Sequence, residues 1–299
     1  MAMETSNNTS YVNLSGSSEC IPWLAATITG CLAVVILNFF TIIVFVMQRH
    51  LQRPGTYLII HMAIVDLLVG AVSGPVTVNH LLGLYCDLWK RTDTVYPLVN
   101  LFPITSLVNL AVISLERMHA TIFPFEHRVI KKRVYGMTVA AIWFLTSSRE
   151  TVQVVLYKTQ GYSHLTMSFS TITVVSFWSL SLILICVSYI SIFIKVRFSP
   201  NPQHHGATDR ERKLTATILI ATLASLLTWF PVTVVRIVEY WHEGVLLRWY
   251  TQRSMFHIEM TLAALVGANS LANPIVYAIR MPEFRAGFVK MFRRTPSTT

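Results

Sequence analysis

Apolar positions along this chain gather into seven long runs, near 23–47, 56–80, 95–119, 135–157, 167–196, 213–239 and 256–279, parted by short polar segments. A helix rises about 1.5 Å per residue, so each run can cross roughly 30 Å of hydrocarbon. The fourth is the weakest, because it runs into the polar Ser147-Ser148-Arg149-Glu150. After the seventh run, Phe284, Phe288, Val289 and Phe292 alternate with Arg285, Lys290 and Arg293. That is the pattern of a helix lying on a membrane surface. The pattern predicts an all-α membrane protein: a seven-transmembrane helix bundle over 23–280, a polar tail at 1–22, and a short amphipathic eighth helix with its tail at 281–299. The sequence shows no repeat and no separate soluble domain.

Composition agrees with this. The chain is 53% hydrophobic and 13% charged, with a mean hydropathy of +0.53, where soluble domains carry about 25% charged residues. A net charge of +10 raises the question of nucleic acid, but the basic residues sit in short loops between apolar runs. They predict a lipid bilayer as the partner and no nucleic acid. Of the 24 lysines and arginines, 17 fall on one side of the predicted membrane and 7 on the other. The richer side is cytoplasmic, and an odd number of crossings then places the amino end outside a multi-pass plasma-membrane protein. Residues 1–22 contain no apolar core for a cleavable signal peptide. They carry N-x-Ser/Thr sequons at Asn7, Asn8 and Asn13, as an extracellular, glycosylated tail would.

Polar residues inside the runs are the candidates for function, since each needs a partner there. Asp66 lies in the second run, Asn38 in the first, Ser106 in the third, and Asn269, Ser270 and Asn273 in the seventh, all near mid-depth. A carboxylate among hydroxyls and amides could hold a small cation; a structural hydrogen-bond cluster fits the residues equally well. Pro274 removes a backbone donor beside them. At the cytoplasmic end of the third run, Glu116-Arg117 is either an ordinary surface pair or one half of a tie to Glu211 at the start of the sixth. Breaking such a tie would free the sixth helix to swing. That helix carries Thr228-Trp229-Phe230-Pro231, with Trp229 at the bend Pro231 imposes. Four cysteines have no metal-type spacing. Cys31 and Cys186 read as packing residues, and only Cys20 and Cys86 could both face an oxidising lumen, bridged or not.

Together these residues resemble the rhodopsin-like (class A) G-protein-coupled receptors, over essentially the whole chain. Asn38 is similar to that family's first-helix asparagine and Asp66 to its second-helix sodium-site aspartate. Glu116-Arg117 resembles the Asp/Glu-Arg-Tyr motif, with Met118 in the tyrosine's place. Trp143 matches the fourth-helix tryptophan, Tyr189 the fifth-helix tyrosine, and Trp229-Phe230-Pro231 the toggle motif. Asn273-Pro274-Ile275-Val276-Tyr277 matches the seventh-helix motif, and Phe284-Arg285 the start of the eighth helix. The resemblance implies a sodium ion as allosteric ligand at Asp66, Ser106, Asn269, Ser270 and Asn273, and no other cofactor. It implies that an extracellular ligand shifts Trp229, the sodium site collapses and Arg117 is released. A heterotrimeric G protein would then dock on Arg117 and the loop 122–133, where Phe125 is the apolar residue to insert. The family's disulfide between the third helix and the second outer loop is absent, since no cysteine lies within 87–185. Ser181 and Ser225 stand where the family keeps a fifth-helix proline and a sixth-helix phenylalanine. A Cys20–Cys86 bridge would be a substitute staple.

The ligand pocket implied by the resemblance draws on Val99, Asn100, Pro103, Thr173, Phe177, Trp229, Thr233, Arg236, Glu259 and Ala263, with Glu239 nearby. Val99 replaces the third-helix aspartate of amine receptors, and Gly267 the retinal lysine of opsins. Arg236 either meets an acidic ligand group, or pairs with Glu239 or reaches the membrane interface; the latter two are the plainer expectation. The ligand's type stays open. The rival readings are a receptor-like membrane protein that does not signal and a transporter, although paired broken helices and repeats are missing. No nucleophile–base pair, phosphate loop or metal spacing suggests an enzyme.

Overall fold

The computed structural model describes residues 18–48, 55–86, 98–161, 163–198, 207–241 and 251–292. Its long helices are α1 (Cys20–Met47), α2 (Thr56–Tyr85), α3 (Leu98–Ile122), α4 (Lys132–Gln160), α5 (His164–Phe198), α6 (Ala207–Trp241) and α7 (Gln252–Arg280). They coincide with the seven predicted runs, most of them longer by several residues. The amphipathic eighth helix, α8, is Pro282–Phe292. A single turn, Pro124–Arg128, interrupts the loop after α3 and was not expected.

Two helices depart from the simple reading. The fourth run is weak in hydropathy, as expected, but its helix does not stop at Ser147–Glu150: α4 continues to Gln160 and ends at Gly161, whose φ is 60°. Arg149 and Glu150 are buried within the bundle. Helix α2 opens into a π-helical turn over Val69–Ser73. Pro75 follows, and it has no N–H for the carbonyl four residues back.

The bundle is inside-out relative to a soluble protein. Ile28, Leu32, Ile36 and Phe39 of α1 are exposed at helical spacing, as are Ile183, Val187, Ile190 and Ile194 of α5 and Leu223, Leu227 and Phe230 of α6. Such apolar stripes face lipid. Cys186 lies on this outer surface and is not a packing residue, whereas Cys31 is half-buried. Asn38, Asp66, Ser106, Asn109, Asn269, Ser270 and Asn273 are all essentially inaccessible. Helix α3 is the hub, touching α2, α4, α5 and α6, while α7 packs on α1, α2 and α6.

Close approach of α1 to α2 depends on a small-residue pair, as is common in membranes. A Cβ added at Gly70 would lie 2.7 Å from Cγ1 of Val34 and 3.0 Å from the Cys31 carbonyl. Gly74, one turn on, sits against the Cys31 sulfur. Gly70→Ala is therefore expected to lower thermal stability by about 1–3 kcal/mol. Adding Val34→Ala should restore part of that loss. An unchanged melting temperature in Gly70→Ala would show that the contact yields freely.

α8 folds back on the bundle through aromatic contacts. Phe284 is buried against Phe45 at 5.5 Å, and Phe288 meets Phe40 edge-on at 5.7 Å. Val289 is largely exposed instead, beside Arg285 and Lys290.

Candidate functional site

The polar residues of four helices converge on Asp66. Its Oδ1 accepts hydrogen bonds from the Ser106 hydroxyl (2.7 Å) and the Ser270 hydroxyl (2.9 Å), and its Oδ2 accepts one from the Asn273 amide (2.8 Å). Asn38 joins α1 to this centre, its amide donating to the Ser270 carbonyl at 3.1 Å and the Val34 carbonyl at 2.9 Å. An ionised carboxylate has about four acceptor sites, of which three are used here. The side-chain oxygens of Asn38, Asn269 and Asn273, all buried, meet no donor. The centre is thus rich in oxygen acceptors and poor in positive charge, an all-oxygen set suited to a hard cation. Among the described residues, no cluster of three or more histidines, cysteines or acids offers a transition-metal site.

At the far end of α3, Arg117 is 7% exposed and grips Glu116 through both Nε and Nη2. Glu116 is held by two further segments: His127 of the short turn lies at 3.2 Å, and the Tyr135 hydroxyl of α4 donates at 3.4 Å. Gly55, ahead of α2, abuts the same pair so closely that a Cβ there would strike both side chains. The expected tie to Glu211 concerns a side chain outside the described residues. Phe125 is 79% exposed on the neighbouring turn. Tyr189 is partly buried in the central apolar core, and Tyr277 is buried edge-on against Phe45 at 5.8 Å, one turn beyond the buried Pro274.

Between these two sites and the Cys20–Cys86 end lies Trp229, 1% exposed. Its ring meets that of Trp178 of α5 at 5.0 Å and a tilt of 54°, and neither indole N–H meets an acceptor. Around Pro231, the Thr233 hydroxyl donates to the Trp229 carbonyl and the Thr228 hydroxyl to the Ser225 carbonyl, both at 2.9 Å. The carbonyl that Pro231 leaves without an amide donor is that of Leu227, four residues back, so these two bonds are additional ones to the helix backbone on either side of it.

The predicted pocket residues fall at this end. Val99, Asn100, Phe177 and Ala263 are half-buried, Thr233 is buried, and Pro103 is enclosed within α3. Arg236 makes a two-pronged pair with Glu259 of α7, at 2.8 and 2.7 Å. That pair crosses between helices, and the expected Arg236–Glu239 pair concerns a side chain outside the described residues. Thr173 accepts a hydrogen bond from Arg149 Nε at 3.0 Å. Cys20 and Cys86 are bridged, with Cα atoms 6.2 Å apart. Beside them Glu19 binds His257 at 2.9 Å, and Trp23 donates to the other His257 nitrogen at 3.0 Å. Asn7, Asn8 and Asn13 lie outside the described residues.

Several of these residues escaped the sequence reading. Trp178 is one aromatic among many apolar neighbours, and nothing local marks it. His61 and Asn109, 3.1 Å apart beneath the Trp143 ring, are isolated polar positions on different helices. Thr146, Glu150 and Gln153 do carry a readable signal: a spacing of four and then three puts them on one helix face.

The comparisons with known proteins agree with this arrangement. Residues 37–277 match the family model described as 7 transmembrane receptor (rhodopsin family). The substance-K receptor of Bos taurus is 23% identical over 93% of this chain and 77% of its own length. The human histamine H2 receptor is 26% identical over 94% of this chain and 84% of its own, and the dog histamine H2 receptor 25% over 96% and 85%. A match that runs from Asn38's helix to Tyr277 takes in the polar centre, the Glu116-Arg117 pair and Trp229 together, and the chain belongs to the rhodopsin family of seven-transmembrane, G-protein-coupled receptors.

Proposed function

We propose that this receptor takes an extracellular ligand into the Cys20–Cys86 end of the bundle and passes the signal through Trp229 and the Asp66 centre to Arg117. The bias of 17 basic residues against 7, with the sequons at Asn7, Asn8 and Asn13, supports an amino end outside the cell. Val99, Asn100, Pro103, Phe177, Thr233 and Ala263 would line the ligand's path to the Trp229–Trp178 pair, whose unpaired N–H groups favour a ligand with a hydrogen-bond acceptor at that depth. Relatives named for substance K and for histamine leave the ligand's identity open.

The observation that carries the reading is the oxygen excess at Asp66. Sodium there would be held by Asp66 and Ser106 with the amide oxygens of Asn269 and Asn273, Ser270 staying as a donor to the carboxylate. A bound cation would clamp α2, α3 and α7 in one arrangement, and its loss would release α7 at Pro274. On the inner face, release of Arg117 from Glu116 would free it for a G-protein α subunit, with Phe125 as the apolar plug. Glu211 is the proposed second anchor of the resting state.

The test is nucleotide exchange on purified G proteins of each family, with the receptor in nanodiscs, in sodium or choline chloride. Sodium is expected to suppress basal exchange and to stabilise the protein by about 1.4 kcal/mol at ten times its dissociation constant. Asp66→Asn should abolish both effects. Sodium effects that persist in Asp66→Asn would remove the cation from this site. The absence of exchange with every G protein supplied would favour the receptor-like protein that does not signal.

A further inference from the structure

The outer half of α4 holds a charged pair that none of the sites above uses. Arg149 and Glu150 are each 6% exposed. Every side-chain nitrogen of Arg149 has an acceptor: Nε the Thr173 hydroxyl at 3.0 Å, Nη2 the Ser170 carbonyl at 3.0 Å and its hydroxyl at 3.3 Å, and Nη1 a carboxylate oxygen, Oε1, of Glu150. The carboxylate is only half engaged. Its other oxygen, Oε2, is buried and meets no donor, and neither does the buried amide oxygen of Gln153. A pair that served packing alone would close both carboxylate oxygens, because an unmade buried bond to a charged group is costly.

The two unpaired oxygens belong to the outer half of α4, the half nearer the expected pocket residues. Glu150 and Gln153, three apart, share a face of α4 with Thr146, whose hydroxyl meets that of Thr105 on α3 at 3.0 Å. One turn outward from that contact, α3 presents Leu101 and Phe102, next to the pocket positions Val99 and Asn100. The acceptors therefore lie at the outer junction of α4 with α3 and α5. Arg149 is committed to α5 and to Oε1, and the remaining donors of the group are the neutral amide N–H groups of Gln153. An anionic group would be repelled by the half-engaged carboxylate, whereas a compact ammonium has three donors and the complementary charge. Its attraction to a carboxylate in contact exceeds its repulsion from a guanidinium farther off.

Resting on the receptor reading, we propose that Glu150 and Gln153 form the subsite for a ligand's protonated amine. Helix α4 thereby supplies the counter-ion that Val99 does not. Gln153 directs the ammonium through its amide oxygen, and Arg149 is a positioning residue that holds the carboxylate.

The experiment uses the full chain in nanodiscs and matched probes: simple alkyl and aryl-ethyl primary amines, with the alcohol and carboxylate of each. Binding is read from thermal unfolding followed by tryptophan fluorescence. The best amine should bind about tenfold more tightly than its alcohol, the worth of one charge-assisted bond. Glu150→Gln should erase that ratio. Gln153→Leu, which leaves the Arg149–Glu150 pair intact and so guards against a folding artefact, should reduce it about threefold. Amines that bind no better than alcohols, or a preference kept in folded Glu150→Gln, would overturn the subsite, as would amines inert to about 10 mM, a bare −3 kcal/mol. The receptor reading fails separately: an Arg117→Ala receptor should bind the same amine, and amine binding without any coupling would count against signalling while leaving the subsite in place.

Discussion

Replacing Arg117 by alanine is expected to lower G-protein-stimulated nucleotide exchange by about a hundredfold, the scale of one buried, hydrogen-bonded charge pair removed (about 3 kcal/mol). The resting contacts explain why the loss should be so large. Arg117 is the cation at the centre of a closed assembly, gripping Glu116 while His127 and Tyr135 hold that acid from two other segments. With the guanidinium gone, no buried cation remains on α3 to be handed from Glu116 to a docking partner. Arg117→Lys should recover only part of the activity, because an ammonium cannot make the two-pronged contact. Folding must be checked, since the variant leaves a buried acid with weaker partners. Arg117→Ala/Glu116→Gln removes that acid's charge and should be stable yet equally silent. If the double variant couples normally, Arg117 is a structural residue and the inner switch lies elsewhere.

Much of this fold was legible because hydropathy is a local property. Seven runs and the amphipathic α8 follow from composition over windows of about twenty residues. The site was harder to read where partners are distant in sequence. Arg149-Glu150 reads as a break in the fourth run because hydropathy charges each ionised residue in full. The structure offsets that cost with Thr173 and Ser170, some twenty residues on. The two-pronged contact of Arg236 with Glu259 lies 23 residues on, in the next helix, beyond what local spacing shows. The members of the Asp66 centre could be named from the sequence. Its surplus of acceptor oxygens could not, because that depends on how four helices aim their side chains. The Cys20–Cys86 bridge was left open for the same reason: pairing needs two Cα atoms within bonding reach, a tertiary fact.

That bridge supports the second large effect. Cys20→Ala/Cys86→Ala is expected to destabilise the receptor by about 2–4 kcal/mol, the typical range for a disulfide and below the roughly 4.4 kcal/mol that chain entropy alone would give a loop of this length. The loop spans 66 residues, but α1 and α2 stay threaded through the bilayer when the bundle loosens, which trims the entropy gained. The bridge also sits within a buried apolar cluster of Val78, Leu81, Leu82, Phe256 and Met260, so α7 is affected as well. The bundle should still assemble, because Trp23 and Glu19 hold His257 independently of the sulfurs. Hydrogen exchange should therefore quicken at the first turns of α1 and the last of α2, with little change around Arg117. The double variant is preferable to Cys86→Ser, which would leave the buried Cys20 thiol free to pair wrongly. A melting temperature equal to that of the parent would make the bridge dispensable. Exchange that quickens equally at both ends would make it a staple of the whole bundle rather than of its outer face.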